Sequence, residues 1–474
     1  MIDLKNISRI YFIGIGGIGM SALARYFLAK GVTISGYDKT ETTLSKQLEN
    51  EGIKIHYTDD INLLDKDAEL IVYTPAVPKE HKELVYYQQN DYLLLKRSDV
   101  LGKITENSFN ICIAGTHGKT TISAMIGHIL RDSGYGCNAF LGGVAVNYNT
   151  NFWSSEKNVC VVEADEYDRS FLKLKPDLAI ISAMDADHLD IYGTEEAMQD
   201  AFIEFTAAIK PNGLLLSKHG LKRGSELSAP IHLHYSLQNE AAEMYAHNIV
   251  MNRGTFQFDV ISQDLTLNDV TLNMGGMHNV ENVIAAIAVA QHLKIDPDKI
   301  RSAIENFKGV KRRFEYVIAP SLSDNGRDEI VFIDDYAHHP EELKALITSA
   351  KTLFSDRRCT VVFQPHLFTR TRDFADEFAQ ILDMANEVIL LPIYPARELP
   401  IEGITSNLIL NKIKNKNKSL KTKEELLNYL SDSKVSPPAG GGDLEGAVFI
   451  TAGAGDIDTI VEPIKQIILN QSLN

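Results

Sequence analysis

The chain has 474 residues, with 47 basic against 63 acidic side chains, a net charge of −16 and 44% hydrophobic residues. This length corresponds to about three domains of roughly 150 residues, and the apolar content is sufficient for folded cores. The acidic excess argues against a general nucleic-acid or membrane-binding surface, because such surfaces need clustered Lys and Arg. We therefore expect no nucleic-acid partner and no membrane partner, and any phosphate ligand must be held by local groups.

Cysteine use and the amino-terminal sequence predict a soluble protein of the reducing cytoplasm. Four cysteines are too few for a disulfide framework in so long a chain, and Cys112, Cys160 and Cys359 lie in β-branched runs typical of buried strands. The segment that begins at Met1 lacks the cationic and apolar regions of a signal peptide. No apolar run reaches the ~18 residues that a membrane span requires.

Short Val/Ile/Leu runs alternate with amphipathic helical stretches, which predicts an α/β fold with parallel sheets and crossover helices. Three successive blocks of this pattern predict domains at residues 1–105, 106–310 and 311–474. Alternation of apolar and polar residues between 245 and 273 indicates antiparallel strands added to the middle domain. The segment Pro437–Gly442 is rich in proline and glycine and predicts a surface loop. The predicted strands are Ile10–Ile13, Val32–Ser35, Leu70–Tyr73, Ile111–Ile113, Val159–Val162, Leu178–Ile181, Ile330–Ile333, Val361–Phe363, Val388–Leu391 and Val448–Ile450.

A glycine-rich turn with a lysine follows the strand at Ile111–Ile113 and precedes an amphipathic helix. This is the context of a phosphate loop, in which backbone N–H groups and the helix N-terminus hold phosphate oxygens. We predict that the loop binds ATP, with Lys119 at the β- and γ-phosphates and Thr120 as a ligand of Mg²⁺. The general pattern has a glycine where this chain has Ile113, so the loop is a shortened variant. The predicted ATP contacts are Gly115, Thr116, His117, Gly118, Lys119, Thr120 and Thr121.

Magnesium bound to a triphosphate needs hard oxygen ligands and usually takes one or two from the protein. Glu163 stands at the exit of the next predicted strand and is the predicted second ligand. His188 could hold a second ion or orient phosphate, or it could be an ordinary hydrogen-bonded loop histidine. A zinc site is not indicated, because the sequence has no cysteine pair and no His-Glu-x-x-His spacing.

A second glycine loop follows the first predicted strand and has an acidic residue at the end of the next strand, as in dinucleotide-binding folds. Taken alone it predicts a nicotinamide cofactor. The block spans only about 105 residues, however, which favours a mononucleotide or a nucleotide-sugar diphosphate over a full dinucleotide site. The predicted ligand contacts are Gly14, Gly16, Gly17, Ile18, Gly19 and Asp38.

Taken together, the motifs resemble the Mur ligase family over nearly the whole chain. Besides the two glycine loops, the motifs that carry the resemblance are Glu163–Phe171, Asp187–Asp190, His278–Asn279 with Asn282, Arg312–Glu315, Asp334–Pro340, Gln364–His366 and Tyr394–Glu398. The resemblance implies an amino-terminal Rossmann-like domain for a UDP-sugar, a central ATPase-like domain, and a carboxyl-terminal Rossmann-like domain that receives an amino acid.

The resemblance also implies an ATP-dependent ligase that forms an amide. The nearest motif match within the family implies L-alanine and UDP-N-acetylmuramate as substrates, in an early step of peptidoglycan precursor synthesis. The sugar carboxylate would attack the γ-phosphate, and the amine of alanine would then attack the acyl phosphate. We expect a monomer or a homodimer.

Residue roles follow from the same resemblance. Lys119, Glu163, His188 and His338 are the expected catalytic residues, and the expected metal ligands are Thr120, Glu163 and His188. Adenine contacts are expected from Asn279 and Asn282, a ribose contact from Asp335, and a further ATP contact from Arg313. His366, Arg370 and Arg372 are the candidates for binding the amino acid.

At one position the chain departs from the commonest family pattern, which has an arginine directly after the Pro-His pair. Here Leu367 and Phe368 follow His366, so either Arg370 or Arg372 could hold the amino-acid carboxylate. His338, His339 and His366 could each assist deprotonation of the amine.

Three alternatives remain open at this point. The first is a recycling ligase that attaches a whole peptide to UDP-N-acetylmuramate, although Arg169-Ser170-Phe171 favours the alanine enzyme. The second is a nicotinamide-dependent oxidoreductase, which leaves the phosphate loop and Glu163 unexplained. The third is a nucleotide-binding regulator without catalysis.

Overall fold

The computed structural model describes residues 4–186, 189–252, 254–263, 265–320, 330–396, 398–432 and 446–472. Helices and strands alternate along these residues and form three sheets. The α/β class and the three-domain architecture predicted from the sequence are confirmed. The predicted surface loop at Pro437–Gly442 lies outside the described residues.

The first sheet contains β1 Arg9–Ile13, β2 Thr33–Tyr37, β3 Lys54–His56, β4 Leu70–Tyr73 and β5 Leu94–Lys96. The helices that accompany it are α1 Ile18–Ala29, α2 Thr43–Asn50, α3 Lys82–Gln89 and α4 Arg97–Thr105. All five strands are parallel, in the order β3-β2-β1-β4-β5. Alternate residues of β1 enter separate apolar clusters on the two faces, with Phe12 in one and Tyr11 in the other. Because the strands run the same way, the residues that follow them gather at one edge of the sheet.

The second sheet contains β6 Phe109–Ala114, β7 Asn138–Ala145, β8 Thr150–Trp153, β9 Val159–Glu163, β10 Leu178–Ile181, β11 Leu214–Lys218, β12 Ile231–Ser236, β13 Met244–Asn252, β14 Thr255–Ser262 and β15 Thr266–Leu272. The associated helices are α5 Lys119–Asp132, α6 Leu189–Tyr192, α7 Glu195–Ala207, α8 Met277–His292 and α9 Pro297–Asn306. The strand order is β15-β14-β13-β12-β11-β10-β6-β9-β7-β8. Strand β6 lies between β9 and β10 and is parallel to both, so the phosphate loop and Glu163 leave the sheet at the same edge.

Strands β13, β14 and β15 form the β-structure that the alternating sequence predicts in the middle domain. They are consecutive neighbours at one end of the sheet. Phe256, Phe258 and Val260 are buried, whereas Gln257 between the two phenylalanines is exposed. The antiparallel pair β7 and β8 was not predicted from the sequence.

The third sheet contains β16 Glu315–Ile318, β17 Ile330–Asp335, β18 Arg358–Phe363, β19 Glu387–Leu390, β20 Lys418–Leu420 and β21 Ala447–Ala452. Its helices are α10 Pro340–Leu353, α11 Phe368–Asp373, α12 Ala375–Leu382, α13 Asn407–Leu410, α14 Lys423–Asp432 and α15 Val461–Ser472. The order is β16-β17-β21-β18-β19-β20, and only the pairing of β16 with β17 is antiparallel among these described strands. Phe332, Val362 and Phe449 lie in one apolar cluster of this sheet.

The described chain divides into two compact units. The first extends to His247 and includes Asp259–Asn268 and Glu281–Phe307, and the second comprises Asn248–Phe258, Asp269–Val280 and the residues from Lys308 onward. The first unit therefore contains both glycine loops, and a shared apolar cluster joins α1 to the middle sheet. In that cluster the ring of Tyr26 lies 5.5 Å from that of Phe140. The domain boundaries at residues 105 and 310 stay predictions.

The four cysteines are free and buried, as predicted for Cys112, Cys160 and Cys359; burial of Cys137 was not predicted. Burial raises the pKa of the Cys137 thiol to about 12, which keeps it protonated and unreactive at neutral pH. Among the described residues, no helix is both long enough and apolar enough to cross a membrane.

Candidate active site

The phosphate loop connects β6 to α5 and is shaped by glycines at two positions. Gly115 has φ +125°, and a Cβ there would meet the backbone nitrogen of Ala183 at 2.8 Å. Gly118 has φ +82° and is the N-cap of α5. Both conformations are unfavourable for other residues, and the close approach at Gly115 leaves no room for a side chain. The loop therefore presents its N–H groups and the amino terminus of a long helix at the carboxyl edge of the sheet.

The Lys119 side chain is held by two acceptors. Its Nζ donates to the carbonyl oxygen of Gly115 at 2.8 Å and to Oε1 of Glu166 at 2.7 Å. Glu166 is completely buried, and burial raises the pKa of its carboxyl group while the Lys119 charge opposes that rise. An ammonium group has three N–H donors, so Lys119 can contact a phosphate oxygen with its third donor while Glu166 compensates its charge.

The side chains of Thr120 and Glu163 lie together at the carboxyl edge of the sheet, beside the phosphate loop. The Thr120 hydroxyl donates to Oε1 of Glu163 at 3.0 Å, and the Gly142 N–H donates to the other carboxylate oxygen at 3.0 Å. Two adjacent ligands of an octahedral magnesium ion lie about 3 Å apart, since each bond is roughly 2.1 Å long. The separation and the hard oxygen donors therefore fit Mg²⁺ bound to a nucleotide. His188, the third predicted metal ligand, lies outside the described residues.

Three further predicted ATP contacts of the loop, Thr116, Thr121 and His117, contribute more to the shape of the loop than to its charge. The Thr116 N–H donates to the Ala183 carbonyl at 3.1 Å, and Thr121 is buried in the first turn of α5. His117 is exposed, with Nε2 at 3.6 Å from the carboxylate of Asp185. The structure thus places the His117 imidazole at the surface of the loop.

The two predicted adenine-binding asparagines are both buried on α8 but have different surroundings. A Cβ on Gly118 would lie 2.8 Å from Oδ1 of Asn282, so this amide lies directly against the phosphate loop. The Asn279 side chain donates to the Gly275 carbonyl at 2.7 Å. The structure thus brings Asn282 to the phosphate loop.

The amino-terminal glycine loop is organised by the residues that end β2. The N–H groups of Gly14 and Ile15 donate to the carbonyl oxygen of Tyr37, and Gly14 has φ +87°. The Gly16 N–H donates to Oδ2 of Asp38 at 2.8 Å, and a Cβ on Gly16 would meet the same oxygen at 2.9 Å. Asp38, predicted from the sequence as a ligand contact, thus holds the loop backbone as well.

In this part of the fold, α1 begins at Ile18, so Gly17 is its N-cap and Gly19 lies in its first turn. The Ile18 side chain is exposed, and its carbonyl oxygen accepts a hydrogen bond from the Asn151 amide of the middle domain at 2.6 Å. The start of α1 is thus fixed to the middle domain by a hydrogen bond to its backbone.

Asp335, the predicted ribose contact, is almost fully engaged by the protein backbone. Its two oxygens accept from the N–H groups of Phe314 at 2.6 Å and Ala337 at 2.8 Å. Burial raises the pKa of this carboxyl group to about 6, while those hydrogen bonds and the charge of Arg313 oppose the rise. The Arg313 side chain is exposed. Asp335 therefore fixes the chain entry into the third sheet, whatever it contributes to a nucleotide.

His338, His366 and Arg370 lie together in the second unit. Nη1 of Arg370 is 3.4 Å from Nδ1 of His366, and the rings of His338 and His366 are 5.7 Å apart. Burial and the neighbouring positive groups lower the pKa of His366 to about 4. Arg372 is instead exposed and pairs with Asp373 at 2.7 Å. Of the two candidate arginines, the structure brings Arg370 to the histidines.

Sequence reasoning assigned no role to Glu166 or Gly142. Glu166 stands in the quoted motif, but its pairing with a lysine 47 residues away has no local signature. Gly142 leaves room for the Glu163 carboxylate, since a Cβ at this position would overlap it.

The fold and this site define a nucleotide-binding α/β protein with a phosphate loop in its central domain. Three family models match the chain: the Mur ligase family catalytic domain at residues 9–109, the Mur ligase middle domain at 113–290, and the Mur ligase glutamate ligase domain at 312–455. These matches cover most of the sequence. The chain belongs to the Mur ligase family.

Individual relatives resemble the chain along its full length. The UDP-N-acetylmuramate–L-alanine ligase of Parabacteroides distasonis is 44% identical over 475 residues, covering 99% of both chains. The enzyme of the same name from Porphyromonas gingivalis is 46% identical over 465 residues, covering 97% of this chain and 98% of its own. Among solved structures, the UDP-N-acetylmuramate-alanine ligase of Thermotoga maritima superposes with a TM-score of 0.78 at 27% identity, covering 98% of this chain and 100% of its own.

Proposed function

We propose that the chain joins L-alanine to the carboxylate of UDP-N-acetylmuramate and converts ATP to ADP and phosphate. The observation that carries this proposal is the phosphate loop with the Thr120–Glu163 oxygen pair beside it, which suits a magnesium-bound nucleotide. Similarity of 44% and 46% over nearly the whole length to enzymes named for these substrates narrows the reaction. The reaction would take place in the cytoplasm, as an early step of peptidoglycan precursor synthesis.

The first step activates the sugar. A carboxylate oxygen of the muramoyl group attacks the γ-phosphorus, the bond to ADP breaks, and an acyl phosphate forms. Lys119 carries a positive charge to the β- and γ-phosphates. Thr120 and Glu163 would hold Mg²⁺, which when bound neutralises phosphate charge. His188 retains its proposed role as a ligand of a second ion.

The second step forms the amide. The amine of alanine loses a proton and attacks the acyl carbon, and phosphate leaves from the tetrahedral intermediate. We assign the alanine carboxylate to Arg370, because this guanidinium is half-buried beside His366 whereas Arg372 is engaged by Asp373 at the surface.

His338 suits acceptance of the amine proton. Its Nδ1 lies 2.9 Å from the Tyr336 carbonyl, and since a carbonyl can only accept, Nδ1 carries the proton in the neutral ring. Nε2 then holds a lone pair. The low pKa of the adjacent His366 leaves the His366 ring neutral, so that ring does not repel an incoming ammonium group.

Phosphate release from ATP tests the proposal. Purified protein would be mixed with Mg²⁺, ATP and UDP-N-acetylmuramate, together with L-alanine, the L-Ala-γ-D-Glu-containing tripeptide, or neither. We expect release only with L-alanine and a product heavier by one alanyl residue. Release with the tripeptide alone would indicate the recycling ligase, and a Lys119→Ala variant with full activity would contradict the assigned role of the phosphate loop.

A further inference from the structure

The guanidinium of Arg97 lies against the amino-terminal glycine loop. A Cβ on Gly19, in the first turn of α1, would meet Nη1 of Arg97 at 3.0 Å and its Cδ at 3.1 Å. Arg97 follows β5 at the same edge of the first sheet as the loop, because β5 is parallel to β4 and β4 to β1. The absence of a side chain at Gly19 is what gives the arginine this position.

The hydrogen-bonding capacity of Arg97 is not used within the described part of the protein. Its one recorded polar neighbour there is Asp165, with Nη2 at 4.0 Å from Oδ2, which is too far for a hydrogen bond. Arg25, on the same helix as Gly19, is the opposite case, since it donates to both carboxylate oxygens of Glu51 and to Asn151. Arg25 is therefore structural, whereas Arg97 keeps a planar fork of donors available.

The position of this charge does not help the helix that carries it. Arg97 is the first residue of α4, and the amino terminus of a helix favours negative side chains over positive ones. Asp165, at the other end of the guanidinium, is two residues after the metal-ligand candidate Glu163. Arg97 thus stands between the glycine loop and the edge of the phosphate-loop site, within one compact unit.

We infer that Arg97 binds an oxyanion of the UDP-sugar at the glycine loop. This inference rests on the proposed function and adds a positively charged side chain to the site, which the glycine loop itself does not supply. Two groups of UDP-N-acetylmuramate have the required chemistry: the diphosphate, which the amino terminus of α1 favours, and the lactyl carboxylate, which must reach the phosphate-loop site. Either group would accept hydrogen bonds from the same pair of parallel N–H donors of the Arg97 guanidinium.

Binding to the full chain by calorimetry, without turnover, tests the inference. The probes are UDP-N-acetylmuramate, UDP-N-acetylglucosamine, which lacks the carboxylate, and UDP. Charge-assisted hydrogen bonds of this kind correspond to about 10- to 100-fold in affinity. We expect Arg97→Met to lower the affinity for UDP-N-acetylmuramate by that factor and to leave the affinity for ATP unchanged. Arg97→Lys, which keeps the charge but loses the fork, should recover part of the loss.

The three probes identify the group that is bound. Equal losses for all three assign Arg97 to the diphosphate, and a loss confined to UDP-N-acetylmuramate assigns it to the carboxylate. As a control, Lys96→Ala removes the neighbouring exposed charge. This variant should bind all three probes with wild-type affinity. The fluorescence of Trp153, the single tryptophan, confirms that each variant is folded.

Wild-type affinity of Arg97→Met for all three probes would overturn the inference, and so would wild-type protein that binds none of them. Failure of the proposed function would look different. The wild type would then bind UDP in an Arg97-dependent manner but release no phosphate with UDP-N-acetylmuramate and L-alanine.

Discussion

Replacing Lys119 by methionine should destabilise the central domain through the partner it leaves behind. Oε1 of Glu166 receives the lysine at 2.7 Å, and the side chain of Glu166 has no exposure, against 13% for Lys119. Removing one member of a buried pair typically costs about 3–5 kcal/mol, because the remaining charge loses its oppositely charged partner. We therefore expect Lys119→Met to lose about that much unfolding free energy at pH 8.

Protonation sets an upper limit on this cost and gives it a pH dependence. The native state can neutralise Glu166 by binding a proton, which costs about 1.4 kcal/mol for each pH unit above its ordinary pKa of about 4.5. The limit is about 5 kcal/mol at pH 8 and about 2 kcal/mol at pH 6. The pKa of Glu166 is raised in the folded variant, so stability is retained at low pH and lost as the pH rises.

Urea denaturation followed by the fluorescence of Trp153, which is buried in β8, measures the effect in the relevant domain. The double variant Lys119→Met/Glu166→Gln contains no buried charge at this position and should recover most of the loss at pH 8. At pH 6 the difference between the single and double variants should shrink to about 2 kcal/mol or less. Equal stability of the two variants at pH 8 would refute the reasoning.

Three further predictions concern other buried or crowded groups. Burial raises the pKa of Glu83 to about 7, so its contribution to stability is complete below pH about 4.5 and is lost as the pH rises through 7. In urea titrations, the unfolding free energy of Glu83→Gln should therefore rise by about 2–3 kcal/mol relative to that of the wild type between pH 5 and pH 8. Gly142→Ala should raise the Mg²⁺ concentration for half-maximal activity about 10-fold or more, because the new methyl group displaces the Glu163 carboxylate. Arg370→Met should raise the KM for L-alanine about 10- to 100-fold with the KM for ATP unchanged.

Each of these variants has a matched control in the chain. Glu80→Gln removes an exposed carboxylate and should show no pH-dependent gain. In Gly102→Ala the new Cβ would lie 3.7 Å from the Lys173 carbonyl, an ordinary contact, so the Mg²⁺ requirement should not change. Arg372→Met removes the arginine that is paired with Asp373, and a KM effect as large as that of Arg370→Met would contradict the assignment of the alanine carboxylate.

Two strands with continuous buried runs show where sequence prediction succeeds. Leu70–Tyr73 and Leu178–Ile181 were predicted to the residue, because each is a short apolar run with abrupt polar ends. Strand β7 was missed because its sequence contains two adjacent glycines, which have a low strand propensity; packing against β8 and β9 stabilises it instead. Strand β16 was missed since all four of its residues are only half-buried.

Predicting the site from the sequence succeeds where the chemistry is local and fails where it depends on tertiary contacts. The phosphate loop is a continuous motif, so the sequence predicts its strand–loop–helix context, which the structure confirms. The Lys119–Glu166 pair and the approach of Arg97 to Gly19 join residues far apart in the chain. Such contacts leave no periodic or spacing signal, and only the three-dimensional arrangement reveals them.

The most direct test of the central claim follows an oxygen atom from the sugar to the released phosphate. UDP-N-acetylmuramate labelled with ¹⁸O in both carboxylate oxygens would be turned over with ATP, Mg²⁺ and L-alanine, and the phosphate analysed by mass spectrometry. Attack of the carboxylate on the γ-phosphorus, followed by attack of the amine on the acyl carbon, predicts one ¹⁸O in each phosphate and one in the amide carbonyl. Unlabelled phosphate would show that water cleaves the nucleotide and would contradict the acyl-phosphate route.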